Sequence, residues 1–456
     1  MNYIRYNLFF FSVFIFLSAN VKGQEAAQIN KPNPQPTEKV KPSRTEVITP
    51  LHKDSFNNKG ECPEKKQGGN PRMESGYLVF DGSTDGNRQV DPQVVVGGGY
   101  VLNGTNTGLY LYNKKGEFVQ GVSQACFNGG IDPKMFYDPN NKVFGFDLWY
   151  YWDKEKIKPV NVSISETSDP TGAWNTYAVP SPNEGDGGAI GYSKKWIGYT
   201  FPGGTENMFI IKMAEAKAGK PATVYHFVGS LGQPVFTQDA INDLYFFKLD
   251  RAGDFVISKI TEDKDGTPVS MLVSRKPHNL ANVGSPPQSP QKDTTVRTSS
   301  GDRNPKNAVL QSGFIWISQT INYQGRAAVQ WHQIKLDGTI VQTGLISGEN
   351  TNYIQTTIAV NKKNDVLIGF QETNADMFIS PRMAFRLAKD APGTVRGIIH
   401  LGEGEGHTDG TSWGDYSGSI VDGDNLLDLW TIQSITDPKG KGHTVIAKLP
   451  YVKNRK

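Results

Sequence analysis

Three short segments far apart in the chain share one design: Asp91-Pro92-Gln93-Val94-Val95-Val96, Asp132-Pro133-Lys134-Met135-Phe136-Tyr137 and Asn304-Pro305-Lys306-Asn307-Ala308-Val309. Each leads into a Gly- or Asn-bearing turn and a second apolar run. A segment that recurs with the same turn chemistry is a structural unit used repeatedly, and units of four short strands spaced roughly 40–50 residues apart mark a β-propeller. The turn formers, 49 Gly and 27 Pro, suit such a toroid better than a chain of separate domains. Strand-turn-strand rhythm with period-two alternation is clearest around Val101-Leu102, Leu109-Tyr110-Leu111-Tyr112 and Phe118-Val119, separated by Asn103-Gly104, Asn106 and Lys115-Gly116.

The predicted fold class is therefore all-β, a seven-bladed propeller over 76–452 with blades beginning near Gln89, Gly130, Gly185, Pro234, Asp302, Thr351 and Ser412. Loops near 214–223 and 277–298 leave counts of six or eight open. The last unit has sequence for three strands, over 416–421, 426–432 and 443–449. Tyr77-Leu78-Val79-Phe80 is the expected donor of the fourth, because a strand from the other terminus closes the ring and removes an exposed edge.

Ahead of the propeller, Arg5, an apolar run over 8–17 and Val21-Lys22-Gly23 read as an export signal over 1–23. The run is too short to span a bilayer comfortably. The expectation is a secreted or periplasmic monomer with no membrane insertion after signal removal. Residues 24–75, rich in Lys, Pro, Gln and Asn, are expected to be a flexible leader, having little apolar surface to offset ordering entropy. With 48 basic and 45 acidic residues and no basic block interleaved with aromatics, a nucleic-acid partner is not expected. The two cysteines, Cys62 and Cys126, have the option of pairing in an oxidising compartment or of standing as separate thiols.

Several stretches resemble a large family of secreted bacterial β-propeller proteins, some labelled sialidase-like: the two Asp-Pro segments through Gly97 and Asp138, Ser165-Glu166-Thr167-Ser168-Asp169-Pro170-Thr171-Gly172-Ala173-Trp174, Asn307-Ala308-Val309, and Trp413-Gly414-Asp415-Tyr416-Ser417-Gly418. The resemblance covers nearly the whole chain after the leader and implies the architecture. It implies no activity, since propellers host hydrolases, lyases, lectins and protein-binding platforms. The family usually places Arg before the final Trp-Gly-Asp-Tyr where this chain has Ser412, which weakens the case for an anionic ligand.

Innermost propeller strands run along the central channel, so their starts gather at one mouth. That geometry nominates Asp91, Asp132 and Asp415, with Tyr353, as catalytic groups, because facing carboxylates whose pKa values are pushed apart can divide acid and base or nucleophile roles in glycoside cleavage. Arg88, Lys134, Arg303, Arg382 and Trp413 are the substrate-binding candidates. Arg88, Arg303 and Arg382 with Tyr353 and Glu372 would compose a sialidase-like set, although no spacing enforces it. An Asp before Pro also caps turns, so repetition across blades has a structural explanation as well. Ser168 to Trp174 reads as a structural hairpin. Asp81, Asp85 and Asn87, or Asp422, Asp424 and Asp428, offer oxygens of the kind Ca²⁺ accepts. His407 beside Asp409 and near Tyr416 is the local cluster a His/Tyr polysaccharide lyase would use. The readings carried forward are an enzyme acting on an extracellular polysaccharide or glycan, hydrolase or lyase, and a non-catalytic glycan- or protein-binding propeller.

Overall fold

The computed structural model describes residues 38–51, 53–56, 69–84, 89–149, 159–180, 188–201, 206–250, 253–277, 284–453 and 455. The export signal, Cys62, Asp85, Asn87, Arg88 and 150–152 lie outside them. Strand makes up 54% of the structure and helix 2%, so the described residues hold no helical subdomain.

The strands form antiparallel meanders over 93–122, 131–179, 189–227, 233–277, 308–346, 352–400 and 418–449. The fourth and fifth share one sheet because their innermost strands pair in parallel, Val235 with Ala308 and Thr237 with Leu310. The innermost strand of each meander lies against that of the next, and the seventh returns to the first, closing the ring. The chain is thus a β-propeller. Blades are covered on both faces by their neighbours, so their inner strands carry no exposed face: every residue of Asn352–Val360 is buried. Outer strands such as Ile340–Ile346 regain the alternation of a half-buried surface.

Among the described residues four strands precede the first blade: β1 (Arg44–Ile48), β2 (Lys53–Ser55), β3 (Arg72–Glu74) and β4 (Tyr77–Asp81). β4 supplies the missing fourth strand of the last blade, pairing Phe80 with Ile446 and Leu78 with Lys448, and β3 adds a further edge. The ring is clasped where expected.

The segment expected to be a flexible leader differs. Val40 bridges Ser270 on the fourth blade, β1 pairs with Ala222–Phe227 on the third, and β2 pairs with Ala173–Val179 on the second. Phe56 then enters the core between the second and first blades, against Phe127 and Trp174. The described part of this segment is a strap laid backward across the blade edges. Composition pointed elsewhere because a strap needs no core of its own. β1 alternates half-buried and exposed positions, lends backbone hydrogen bonds to an existing edge, and is fastened by Glu46 to His226 at 2.7 Å and Arg44 to Glu206 at 2.8 Å.

The Ser168–Trp174 turn is structural. The Asp169 carboxylate accepts the Thr171 N–H at 2.9 Å, while the Trp174 indole is buried and donates to the Pro170 carbonyl at 2.8 Å. Cys126 is buried in the same core cluster.

Candidate functional site

In each blade the second strand runs back toward the start of the first, so the loop after it and the connection between blades fall at the strand-start mouth of the channel. At that mouth three non-glycine residues have left-handed backbone: Asp91 (φ 46°), Asp132 (φ 56°) and Gln355 (φ 52°). A residue before proline normally extends, so Asp91 and Asp132 hold a conformation costing on the order of 1–3 kcal/mol each. Such strain persists only where surrounding contacts over-determine it.

Here the contacts are visible. The Asp91 carboxylate accepts the Asp415 backbone N–H at 2.6 Å through Oδ1 and the Asn106 side-chain amide at 2.8 Å through Oδ2. Asn106 in turn accepts the Asp132 N–H at 2.7 Å. This chain of bonds joins the seventh, first and second blades. Gln93 donates to the Ser417 carbonyl at 3.2 Å, and Gln355 on the sixth blade donates to the Gly414 carbonyl at 2.6 Å. Gly414 sits at φ 132°, with Asp91 Oδ1 2.8 Å from where a Cβ would be, so a side chain there would meet the carboxylate.

The charges converge as well. Asp91 is 2% exposed and Lys134 7%, whereas Asp132 and Asp415 are half-buried. Burial, then the neighbouring Asp132 carboxylate, pushes the Asp91 carboxyl up to about 7. Burial also brings the Lys134 ammonium down to about 7, opposed by Asp132 and assisted by Lys306 from across the ring. The Lys134 ammonium lies over the face of Tyr416, a cation–π seat. Asp147, paired opposite Lys134 in the second blade, accepts its backbone N–H at 3.2 Å, and burial raises its carboxyl well above the usual range. Tyr416 is buried and its phenol is likewise pushed up by burial and by Asp132, Asp91, Asp147 and Asp415. The mouth therefore combines two half-buried carboxylates with a buried acid and a buried amine near neutrality, an arrangement suited to proton transfer or to gripping a polar ligand.

The structure brings together Asp91, Asp132, Asp415 and Lys134. It places the other candidates elsewhere. Tyr353 is buried against Phe370 in the sixth blade beside Glu372, its phenol raised to about 12 by burial. Arg382 is fully buried, with its donors spent on Glu372 at 2.7 Å, Glu403 at 2.9 Å and the Gly402 carbonyl at 2.7 Å. The Trp413 indole is 1% exposed and bonded to Gln371 at 2.8 Å, so it offers no face to a sugar. Arg303 is half-buried in the loop where Lys306 pairs with Asp302 at 3.2 Å. Arg88 is outside the described residues. Of the acidic residues considered for Ca²⁺, Asp422 at 2.6 Å and Asp424 at 2.5 Å are engaged by Lys114 and Asp428 at 2.8 Å by Lys448, while Asp81 lies 3.8 Å from Arg72. His407 pairs with exposed Asp409 at 3.4 Å, while Tyr416 is turned to Lys134.

Asn106 and Asp147 escaped the sequence reading. Asp147 did leave a signal: it is the one charge in the otherwise apolar run Val143–Trp149, and a buried charge there needs an electrostatic reason.

No protein-family model matches the chain, and no curated protein matches it either. Among solved structures it is similar to a neuraminidase-like protein of A/flat-faced bat/Peru/033/2010 (10% identity, 90% of this chain and 98% of that one, TM-score 0.41). It is also similar to a fungal alcohol oxidase in complex with copper (12% identity, 91% and 76%, TM-score 0.41). A third is the sialidase of Trypanosoma rangeli (11% identity, 82% and 60%, TM-score 0.32).

Proposed function

We propose that the protein is exported and takes an extracellular glycan at the strand-start mouth, acting on its glycosidic linkage. Asp132 and Asp415 meet the sugar, and the buried Asp91 and Lys134 set their protonation from beneath. The observation that supports this reading is the contrast among the carboxylates: one buried and held near pKa 7, two half-buried beside it. In this scheme the buried Asp91 and Lys134 bias Asp132 and Asp415 toward different protonation, the separation of acid and base character that glycoside cleavage needs. Asp91 is a positioning residue in this scheme, since both of its oxygens are already taken by protein donors.

A second reading, a binding module without bond cleavage, is favoured by those same bonds, because they make Asp91 a bracket between blades. The test is incubation of the purified mature protein with a polysaccharide panel, following reducing ends and the ultraviolet absorbance of unsaturated products. Reducing ends that vanish in Asp91→Asn and Asp415→Asn, with melting temperatures within a few degrees of wild type, support the hydrolase. Unsaturated products point to a lyase. Glycan binding without product leaves the binding module, and unfolding of both variants leaves Asp91 as a bracket alone.

A further inference from the structure

We infer that β1 is an acid-released latch: protonation of His226 frees this strand from the outer edge of the third blade and uncovers that edge.

The geometry fixes how His226 is held. It stands directly opposite Arg44 in the ladder between β1 and Ala222–Phe227, and its side chain is 2% exposed. Its Nδ1 lies 3.3 Å from Arg44 Nη2 and its Nε2 2.7 Å from Glu46 Oε1. A guanidinium nitrogen only donates, so Nδ1 accepts, and the ring's one proton sits on Nε2 and is donated to Glu46. The ring is therefore a neutral tautomer wedged between a cation and an anion of the same strand. A second proton has one place to go, Nδ1, where its N–H would face the N–H of Arg44. An imidazolium cannot keep both contacts.

The neighbours hold Arg44 in that position. Its Nε is 2.8 Å from Glu206, in the segment before Met208–Lys212, and its Nη1 is 2.9 Å from Glu46. Among the described residues, Arg44, Glu46 and Glu206 are the charged groups that face His226, and the Phe209 ring lies 6.3 Å from the imidazole. Burial first, with Arg44 assisting and Glu46 and Glu206 opposing, keeps His226 below its ordinary 6.5. The ring thus resists a proton while β1 is seated and takes it readily once β1 has lifted, so falling pH favours the lifted strand. Against burial, Arg44 and Ser43 hold the Glu206 carboxyl below 4.5, so its share of the fastening is lost only in stronger acid.

Release is local. β2 and the buried Phe56 remain seated on the second blade. What opens is the Ala222–Phe227 edge, whose backbone groups β1 occupies, and the half-buried Ile48 leaves the core cluster it packs against. An edge so uncovered is of the kind natural sheets keep blocked against pairing with other strands.

The experiment is cleavage of the full mature chain by a glutamyl endopeptidase active from neutral to mildly acid pH, with the cut after Glu46 followed by mass spectrometry for wild type and His226→Gln side by side. Glutamine offers one donor and one acceptor and does not titrate, and the ratio of the two rates at each pH cancels the protease's own pH dependence. Cleavage tracks the open population. As pH falls from 6.5 toward the lower folded value, the ratio of wild-type to variant cleavage should rise by up to about tenfold per pH unit, the slope of one proton. A ratio that does not rise overturns the latch. If His226→Gln is already cut faster than wild type at neutral pH, the comparison passes to Arg44→Gln, which removes the cation facing Nδ1: an acid rise shallower than that of wild type supports the latch, and an equal rise overturns it.

Discussion

Replacing Phe80 by alanine tests whether the ring is held shut by its N-terminal strand. Phe80 is wholly buried in β4, its ring 5.2 Å from that of Tyr112 on the first blade. It belongs to a core cluster that also contains Val96, Trp430, Ile432 and Ile446, so the side chain sits where the first and last blades meet. The ring also fills the space over Gly116, where an added Cβ would lie 2.6 Å from it. Deleting a buried phenyl group loses its transfer energy and leaves a cavity, together about 3–5 kcal/mol. A blade packed on both sides has little freedom to collapse into the gap, so the upper half of that range is expected. The assay is urea unfolding followed by tryptophan fluorescence, with Met73→Ala on exposed β3 as a control expected within ±0.5 kcal/mol. A Phe80→Ala cost under about 1 kcal/mol would show that β4 is not integral to the last blade.

Other outcomes are equally specific. Because burial raises the Asp91 carboxyl from 3.8 to about 7, its contribution to stability is full below pH 3.8 and is lost as pH rises through 7; Asp91→Asn should flatten that window in melting temperature against pH, and an unchanged profile would refute the buried charge. His226 is shifted downward, first by burial, with Glu46 opposing and Arg44 assisting, so its contribution is present above its ordinary 6.5 and lost as pH falls through the lower folded value. Protection factors over β1 should therefore fall below that pH while the blades stay protected; equal protection at both pH values would count against the strap as a separate unit. We propose that Cys62 and Cys126 pair, closing a loop worth about 4 kcal/mol on a chain-entropy estimate. Alkylation of the unreduced, denatured protein should leave both thiols unlabelled, and labelling of both would dismiss the pair.

The architecture was legible because blade repeats write themselves into sequence: Asp-Pro and Asn-Pro starts, Gly-Asn turns, and a last blade one strand short. The clustering of Asp91, Asp132 and Asp415 followed from that geometry alone, since equivalent positions of innermost strands must share a mouth. What composition hid was the strap. Arg44–Ile48 buries few side chains and gains its place through backbone bonds to Ala222–Phe227, a contribution hydropathy does not register. Arg382, Tyr353 and Trp413 were misjudged for a related reason: residue type marks what a side chain can do, but which blade interface encloses it is set by packing. Asn106 left no trace because its role depends on a loop folding back over two strand starts.

Both functional readings place the ligand at the strand-start mouth. The most direct measurement is the structure of the protein with a bound oligosaccharide from whichever member of the panel responds. The sugar should lie against Asp132 and Asp415, within hydrogen-bond reach of Tyr416 or Lys134. A sugar seated instead in the peripheral groove of about 370 Å³ lined by Arg72, Glu403, Asp437 and His443, with the mouth empty, would contradict it.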